Sequence, residues 1–248
     1  MMFGVCLTNT KDFLTFRASV RNKNLDTVKV ISAFGFPVSW NQQTRAQILA
    51  LTPNTIVRSI TGDPSYMQSW KMTRDFVYPD WKRLYKEIFP WYDIKPDILI
   101  EIGNEPNLDN SIDPYIYRYY LQDCINQCRE VFPLAQIITP GLQQNELEQD
   151  WFSIFSLDNE DYVPLNADYT GIHIYDHLNL ELQNPRIQQT LQWGKRLGKP
   201  LFCTELGINK PKATRVERYR FFTSEIGGNA VYYHYNAARD IDPQYHEV

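Results

Sequence analysis

The chain has 248 residues, of which 43% are apolar and 22% charged, with a formal net charge of −4. That balance is ordinary for a globular protein and offers no basic face for nucleic acid. No apolar run is long enough to cross a membrane, and the length fits one (β/α) barrel with a substantial core.

The four cysteines, Cys6, Cys124, Cys128 and Cys203, have no framework spacing. Free thiols in a reducing compartment are expected, and a zinc site is not. The opening MMFGVCLTNTKDF has neither a basic start nor a long apolar segment. It predicts no signal peptide, hence a cytoplasmic location or release by lysis.

In chain order, strands are expected at 3–8, 27–34, 55–60, 97–103, 136–139, 169–175, 200–205 and 230–235. Helices are expected between them. Residues 12–24 must serve as the first, on a poor pattern, and 44–51 is short. The helix over 79–89 opens on Pro79, and that over 114–132 has Asp113 as its N-cap. The helix over 185–197 stops at Gly198, and 214–225 follows. The stretch 62–78, with Tyr66, Trp70 and Met72, has no clear period. Strand and helix in alternation mean a parallel sheet. Eight strands in this length predict a single-domain (β/α)₈ TIM barrel over 1–248, in which 62–78 follows a strand and lies on the catalytic face.

Two strands end in glutamate. EIGNEPN, residues 101–107, follows the apolar Ile98-Leu99-Ile100, and PLFCTELG, residues 200–207, is the other. Period two places Glu101, Gly103 and Glu105 on one face, and Pro106 favours an extended Glu105. Glu105 then stands at the barrel mouth. Glu101 lies one layer deeper and needs a cationic or hydroxyl partner. The two strands are the fourth and the seventh, whose ends face each other obliquely. Two carboxylates there are what glycoside hydrolysis needs, retaining at about 5–5.5 Å and inverting at roughly 6.5–9.5 Å. Arg58, in TIVRSI, also needs a carboxylate, such as Glu101. His173 and His177 are four apart on a strand, roughly 13 Å, too far for one metal ion.

The Asn-Glu-Pro and Thr-Glu-Leu-Gly strand ends resemble clan A of the glycoside hydrolases, over about residues 55–235. The resemblance implies a (β/α)₈ barrel in which Glu105 is the acid/base, Glu205 the nucleophile, and Asn104 a hydrogen-bond partner of the sugar 2-hydroxyl. TGIHIYDH, residues 170–177, resembles the sixth strand of the clan, with His173 and Tyr175 on one face and Tyr175 donating to Glu205. An early-strand arginine supporting the nucleophile would be Arg58, although it falls on strand three rather than two. The clan often has a tryptophan ending strand eight. Here AVYYHYNA leaves that work to Tyr233, His234 or Tyr235.

The implied function is retaining hydrolysis of a β-linked oligo- or polysaccharide by a monomer, with no metal or organic cofactor. An endo mode would fit an open cleft lined by Tyr66, Trp70 and Trp151, an exo pocket being the alternative, with Trp40, Trp81 and Trp91 as further platform candidates. The alternatives are a carbohydrate-binding barrel without activity, and another barrel enzyme such as a lyase or aldolase. The latter would want a metal cluster or a strand-ending lysine, whereas Lys29 opens its strand.

Overall fold

A computed structural model describes residues 4–7, 27–32, 40–60, 81–108, 112–143, 151, 165–176, 188–189, 191–192 and 199–208. Among these residues lie seven strands: β1 (Gly4–Leu7), β2 (Thr27–Ser32), β3 (Asn54–Ser59), β4 (Leu99–Ile102), β5 (Gln136–Ile138), β6 (Thr170–Asp176) and β7 (Leu201–Ile208). The first five form one sheet in sequence order, and β6 pairs with β7. Every pairing is parallel. Two isolated parallel bridges, Ile138 to Tyr169 and Leu142 to Ile172, carry the order from β5 to β6.

The sheet curls on itself. Five strand spacings lie between β2 and β7, about 24 Å if the sheet were flat. Yet Lys29 Nζ of β2 is 2.8 Å from Glu205 Oε1 of β7. Only a closing barrel brings these faces together. The first strand, a doubtful element in the sequence, pairs with β2 over its whole length. The expected eighth strand (230–235), the helices over 12–24 and 214–225, and the stretch 62–78 lie outside the described residues. Of the helix expected over 185–197, residues 188, 189, 191 and 192 are described, and they are helical.

Three helices are described whole: α1 (Gln42–Leu51), α2 (Trp81–Tyr92) and α3 (Pro114–Val131). In α1, Asn41 Oδ1 accepts from Thr44 N at 2.8 Å, starting the helix two residues before the expected Thr44. In α3, Asp113 caps as expected, accepting from the amides of Tyr115 and Ile116 at 2.8 and 3.2 Å. Helix α2 runs through Pro90 rather than stopping at Phe89. In a last turn the missing N–H leaves only one carbonyl unserved.

Alternation along the strands separates two cores. Outward residues such as Val28, Val30, Val57, Ile100, Ile137, Ile172 and Cys203 pack with the helices in the large cluster. Ile56, Leu99, Ile138 and Phe202 form a small inner cluster with Tyr169 against it. Two residues further along the same inner face come Arg58, Glu101 and Thr204. The barrel interior therefore changes from apolar to polar toward the C-terminal strand ends.

Three tryptophans proposed as sugar platforms are core residues instead. Trp40 and Trp91 meet edge to face at 5.9 Å, and Trp151 packs on Tyr117 at 5.4 Å. All three are buried, because each ring fills the helix-to-strand layer. Cys124 and Cys128 are free and buried on α3, and burial pushes both thiols up, as it does Cys203. Such thiols are inert packing groups.

Candidate active site

Strand β4 delivers two carboxylates in different ways. Glu101 lies within the strand and is fully buried. Its Oε2 is 2.5 Å from Lys29 Nζ, and its Oε1 accepts from Thr204 Oγ1 at 2.5 Å. Both partner types expected for it are present. Burial alone would raise its carboxyl. The Lys29 charge, with the hydrogen bond and charge of His173, outweighs burial and brings it down to about 2.

Glu105 lies past the strand, which ends at Ile102. The expectation that it is extended is wrong. Gly103 has φ 83° and Glu105 φ 40°, so the chain turns through the left-handed region into a short 3₁₀ turn, Pro106–Leu108. Proline disfavours right-handed helical geometry at the preceding residue without forcing it to be extended. Backbone bonds hold the turn: Glu105 N donates to Gly141 O, and Leu108 N to Glu105 O, both at 3.0 Å. Asn107, fully buried, donates through Nδ2 to Gln143 O (2.6 Å) and accepts from Gln143 N (2.9 Å). The second asparagine of NEPN thus clamps the β4 exit onto the β5 exit, a role not foreseen from sequence. Asn104 Nδ2 is 3.4 Å from Glu105 Oε2, and its buried Oδ1 has no hydrogen-bond partner.

Glu205 reaches the site through a bulge. Ile172 pairs with Cys203 but His173 pairs with Glu205, so Thr204 is an extra residue in β7. A bulge turns two neighbouring side chains to one face. Thr204 and Glu205 accordingly both enter the barrel, the first meeting Glu101 and the second meeting Lys29.

His173 of β6 is fully buried. Its Nδ1 is 2.8 Å from Glu105 Oε1, and its Nε2 is 3.1 Å from Thr204 Oγ1. Nε2 also lies 3.6 Å from Glu101 Oε1 and 3.9 Å from Glu205 Oε1. Burial opposes the charged ring. The Glu205 charge and the hydrogen bonds to Glu101 and Glu105 more than offset this and push it up to about 9. A value of about 9 favours the imidazolium at neutral pH, the form in which both ring nitrogens donate. The ring lies directly over Gly141, where a Cβ would fall 2.1 Å from His173 Cδ2.

The missed residue is Lys29. It does not open its strand: it is the third residue of β2, fully buried, with its ammonium between Glu101 and Glu205. The signal was available: a lone cation inside TVKVIS needs carboxylate partners as much as Arg58 in TIVRSI does. Arg58 lies on β3, opposite Glu101 in register. Strand two supplies Glu205 with a cation, Lys29. Held between two carboxylates, Lys29 is not the desolvated amine of Schiff-base chemistry.

One oxygen each of Glu105 and Glu205 and one His173 nitrogen lie within 4.8 Å of one another. In geometry alone the three could surround a cation. Lys29 and the charged His173 already balance these carboxylates, and we assign no metal. Tyr175 pairs through its backbone with Gly207, and its side chain, like Trp70, Tyr233, His234 and Tyr235, lies outside the described residues.

No protein-family model matches this chain, and no curated protein matches it. Solved structures do. A curdlan-specific exo-β-1,3-glucanase (GH128, subgroup III) from Blastomyces gilchristii superposes with a TM-score of 0.60 at 10% identity, covering 100% of this chain and 98% of its own. A β-mannanase from Streptomyces thermolilacinus gives a TM-score of 0.60 at 15% identity, covering 94% and 77%. A GH128 (subgroup VII) oligosaccharide-binding protein from Cryptococcus neoformans gives 0.51 at 13% identity, covering 94% and 82%. The fold is a (β/α)₈ barrel.

Proposed function

We propose that this chain is a retaining glycoside hydrolase acting on a β-linked glycan, with Glu205 as nucleophile and Glu105 as acid/base. One observation carries the reading: an oxygen of each glutamate lies within 4.8 Å of the other, and a short separation of the carboxyls suits double displacement. The β-glucanase and β-mannanase among the similar folds support a β-glycan as substrate class.

In the first step a Glu205 oxygen bonds to the anomeric carbon. The bond to the leaving oxygen breaks, and Glu105 gives its proton to that oxygen. In the second step Glu105 takes a proton from water, the water oxygen bonds to the anomeric carbon, and Glu205 is released as carboxylate. With Glu105 protonated, the described cluster holds two cations, Lys29 and His173, and two anions, Glu101 and Glu205. When Glu205 becomes an ester and Glu105 a carboxylate, two anions remain. The negative charge moves from beside Lys29 to beside His173, so each half of the cycle keeps its own counter-ion. Asn104, with its unpartnered Oδ1, is the candidate for the sugar 2-hydroxyl.

The test is turnover of β-glucans, β-mannans and aryl β-glycosides by wild type, Glu105→Gln and Glu205→Gln. Both variants are expected to fold and to lose at least about 10³-fold in kcat with the natural glycan. Wild-type turnover by Glu205→Gln contradicts the assignment. A second reading, a binding barrel, draws on the Cryptococcus neoformans oligosaccharide-binding protein. It requires glycan binding by wild type with no turnover on any of these substrates.

A further inference from the structure

Between the two glutamates, behind the space a sugar would occupy, runs an unbroken buried path. Glu105 Oε1 meets His173 Nδ1 (2.8 Å), His173 Nε2 meets Thr204 Oγ1 (3.1 Å), and Thr204 Oγ1 donates to Glu101 Oε1 (2.5 Å). Glu101 Oε2 then meets Lys29 Nζ (2.5 Å), and Lys29 Nζ meets Glu205 Oε1 (2.8 Å). Thr204 is the middle link and the extra residue of the β7 bulge. It is fully buried, and neither the acid/base nor the nucleophile role needs it.

We propose that Thr204 is a positioning residue whose hydroxyl, by accepting from His173 and donating to Glu101, holds the ring as a two-handed donor aimed at Glu105. Direction follows from bookkeeping of protons. Glu101 is acceptor-only, so the Thr204 hydrogen points to it. The Thr204 oxygen is then left with lone pairs for His173, so Nε2 must carry a hydrogen. Nδ1 faces Glu105 Oε1, which accepts whether that carboxyl is ionised or holds its proton on Oε2, so Nδ1 carries one as well. Among the described residues, the other groups facing the ring agree: Glu101 and Glu105 from β4 and its exit, Glu205 from β7, Lys29 from β2, and Gly141 beneath it. Even with Glu105 protonated, the Glu101 and Glu205 carboxylates against the Lys29 ammonium favour the cationic ring. The hydroxyl adds what charge alone does not, a fixed orientation and a partner for the far nitrogen. The bulge is what makes this possible. An unbulged strand would send either Thr204 or Glu205 inward, not both. The catalytic significance of this link rests on the glycosidase reading above. The hydrogen-bond assignment does not.

The experiment is histidine side-chain NMR on full-length protein labelled with nitrogen-15 at its four histidines, for wild type, Thr204→Val and Thr204→Ser, together with the pH dependence of turnover. In wild type at pH 7.5, both His173 nitrogens are expected to carry protons. In Thr204→Val the ring should lose its proton about one pH unit lower, because a hydrogen bond to the charged form is gone. The alkaline limb of turnover should move down with it, with little change in KM. Thr204→Ser should restore both. A His173 already singly protonated in wild type at pH 7.5 overturns the proposal, whether or not the valine variant folds. So does a valine variant that titrates like wild type. If Glu105→Gln and Glu205→Gln keep full turnover, it is the glycosidase reading that fails, and the NMR result still decides the Thr204 link.

Discussion

The ends of β4 and β7 look alike in sequence, an apolar run closing on glutamate, yet they deliver those glutamates by different means. Glu205 stays inside its strand, almost fully buried, and turns inward because Thr204 bulges beside it. Glu105 leaves its strand and is held on a left-handed turn by Gly141 O, with its side chain 12% exposed. Glu205 rests on a fixed ammonium, and Glu105 on an imidazole that is itself positioned by others. The difference suits the proposed chemistry. A nucleophile needs a rigid, ionised placement. An acid/base must exchange protons with substrate and water, and so sits nearer the opening.

The strongest way to break this comparison is to swap charge for amide at each end. Glu205→Gln and Glu105→Gln should lose turnover alike, but not stability alike. The first leaves Lys29 with one buried carboxylate fewer and should destabilise by about 2–3 kcal/mol. The second removes a partly exposed group and should stay within about 1 kcal/mol. Denaturant unfolding of both variants measures the gap, and equal losses would mean that the two ends are not differently supported.

Lys29→Met reaches further into the β7 side. It leaves Glu101 and Glu205 buried without their ammonium and should lower stability by about 3–5 kcal/mol. Lys29→Arg tests whether charge alone suffices, since the planar fork is larger than the space between the carboxylates.

The β4 side responds instead to His173. Its folded value is about 9 against an ordinary 6.5. A raised folded value contributes stability that is full below about 6.5 and is lost as pH rises through about 9. The wild-type melting temperature should therefore fall between pH 7 and 9.5, and His173→Gln should flatten that fall. Glu101 has the opposite sign. Depressed to about 2 from 4.5, it contributes stability above about 4.5 that is lost only as pH falls through about 2.

The smallest perturbation is Gly141→Ala. Its methyl would strike the His173 ring. A loss of about 1–3 kcal/mol in stability is expected, and kcat should fall more than KM rises, because the displaced ring faces Glu105. An unchanged kcat would separate the ring's position from the chemistry.

The parallel barrel was legible in the sequence, and the misreadings have separate causes. Alternating strand and helix patterns predict the parallel barrel, strand context singles out Glu101, Glu105 and Glu205, and the resemblance of TGIHIYDH to the sixth strand of the clan adds His173; the structure brings the four side chains together. Period two does not survive a bulge or the end of a strand. It could not foresee the left-handed turn at Glu105, nor that Thr204 and Glu205 share a face. Lys29 obeys the same rule as Arg58: a cation inside a strand needs carboxylate partners, wherever in the strand it falls. The tryptophans misled because ring chemistry is the same in a core and in a cleft, and only burial separates them.

The central claim is double displacement at Glu205 and Glu105. The most direct measurement is the anomeric configuration of the first product, followed by proton NMR from the moment a β-glycan is cleaved and before mutarotation. The account predicts the β-anomer first, with the α-anomer growing in slowly. An α-anomer formed first would mean single displacement and would contradict the assignment of Glu205 as nucleophile.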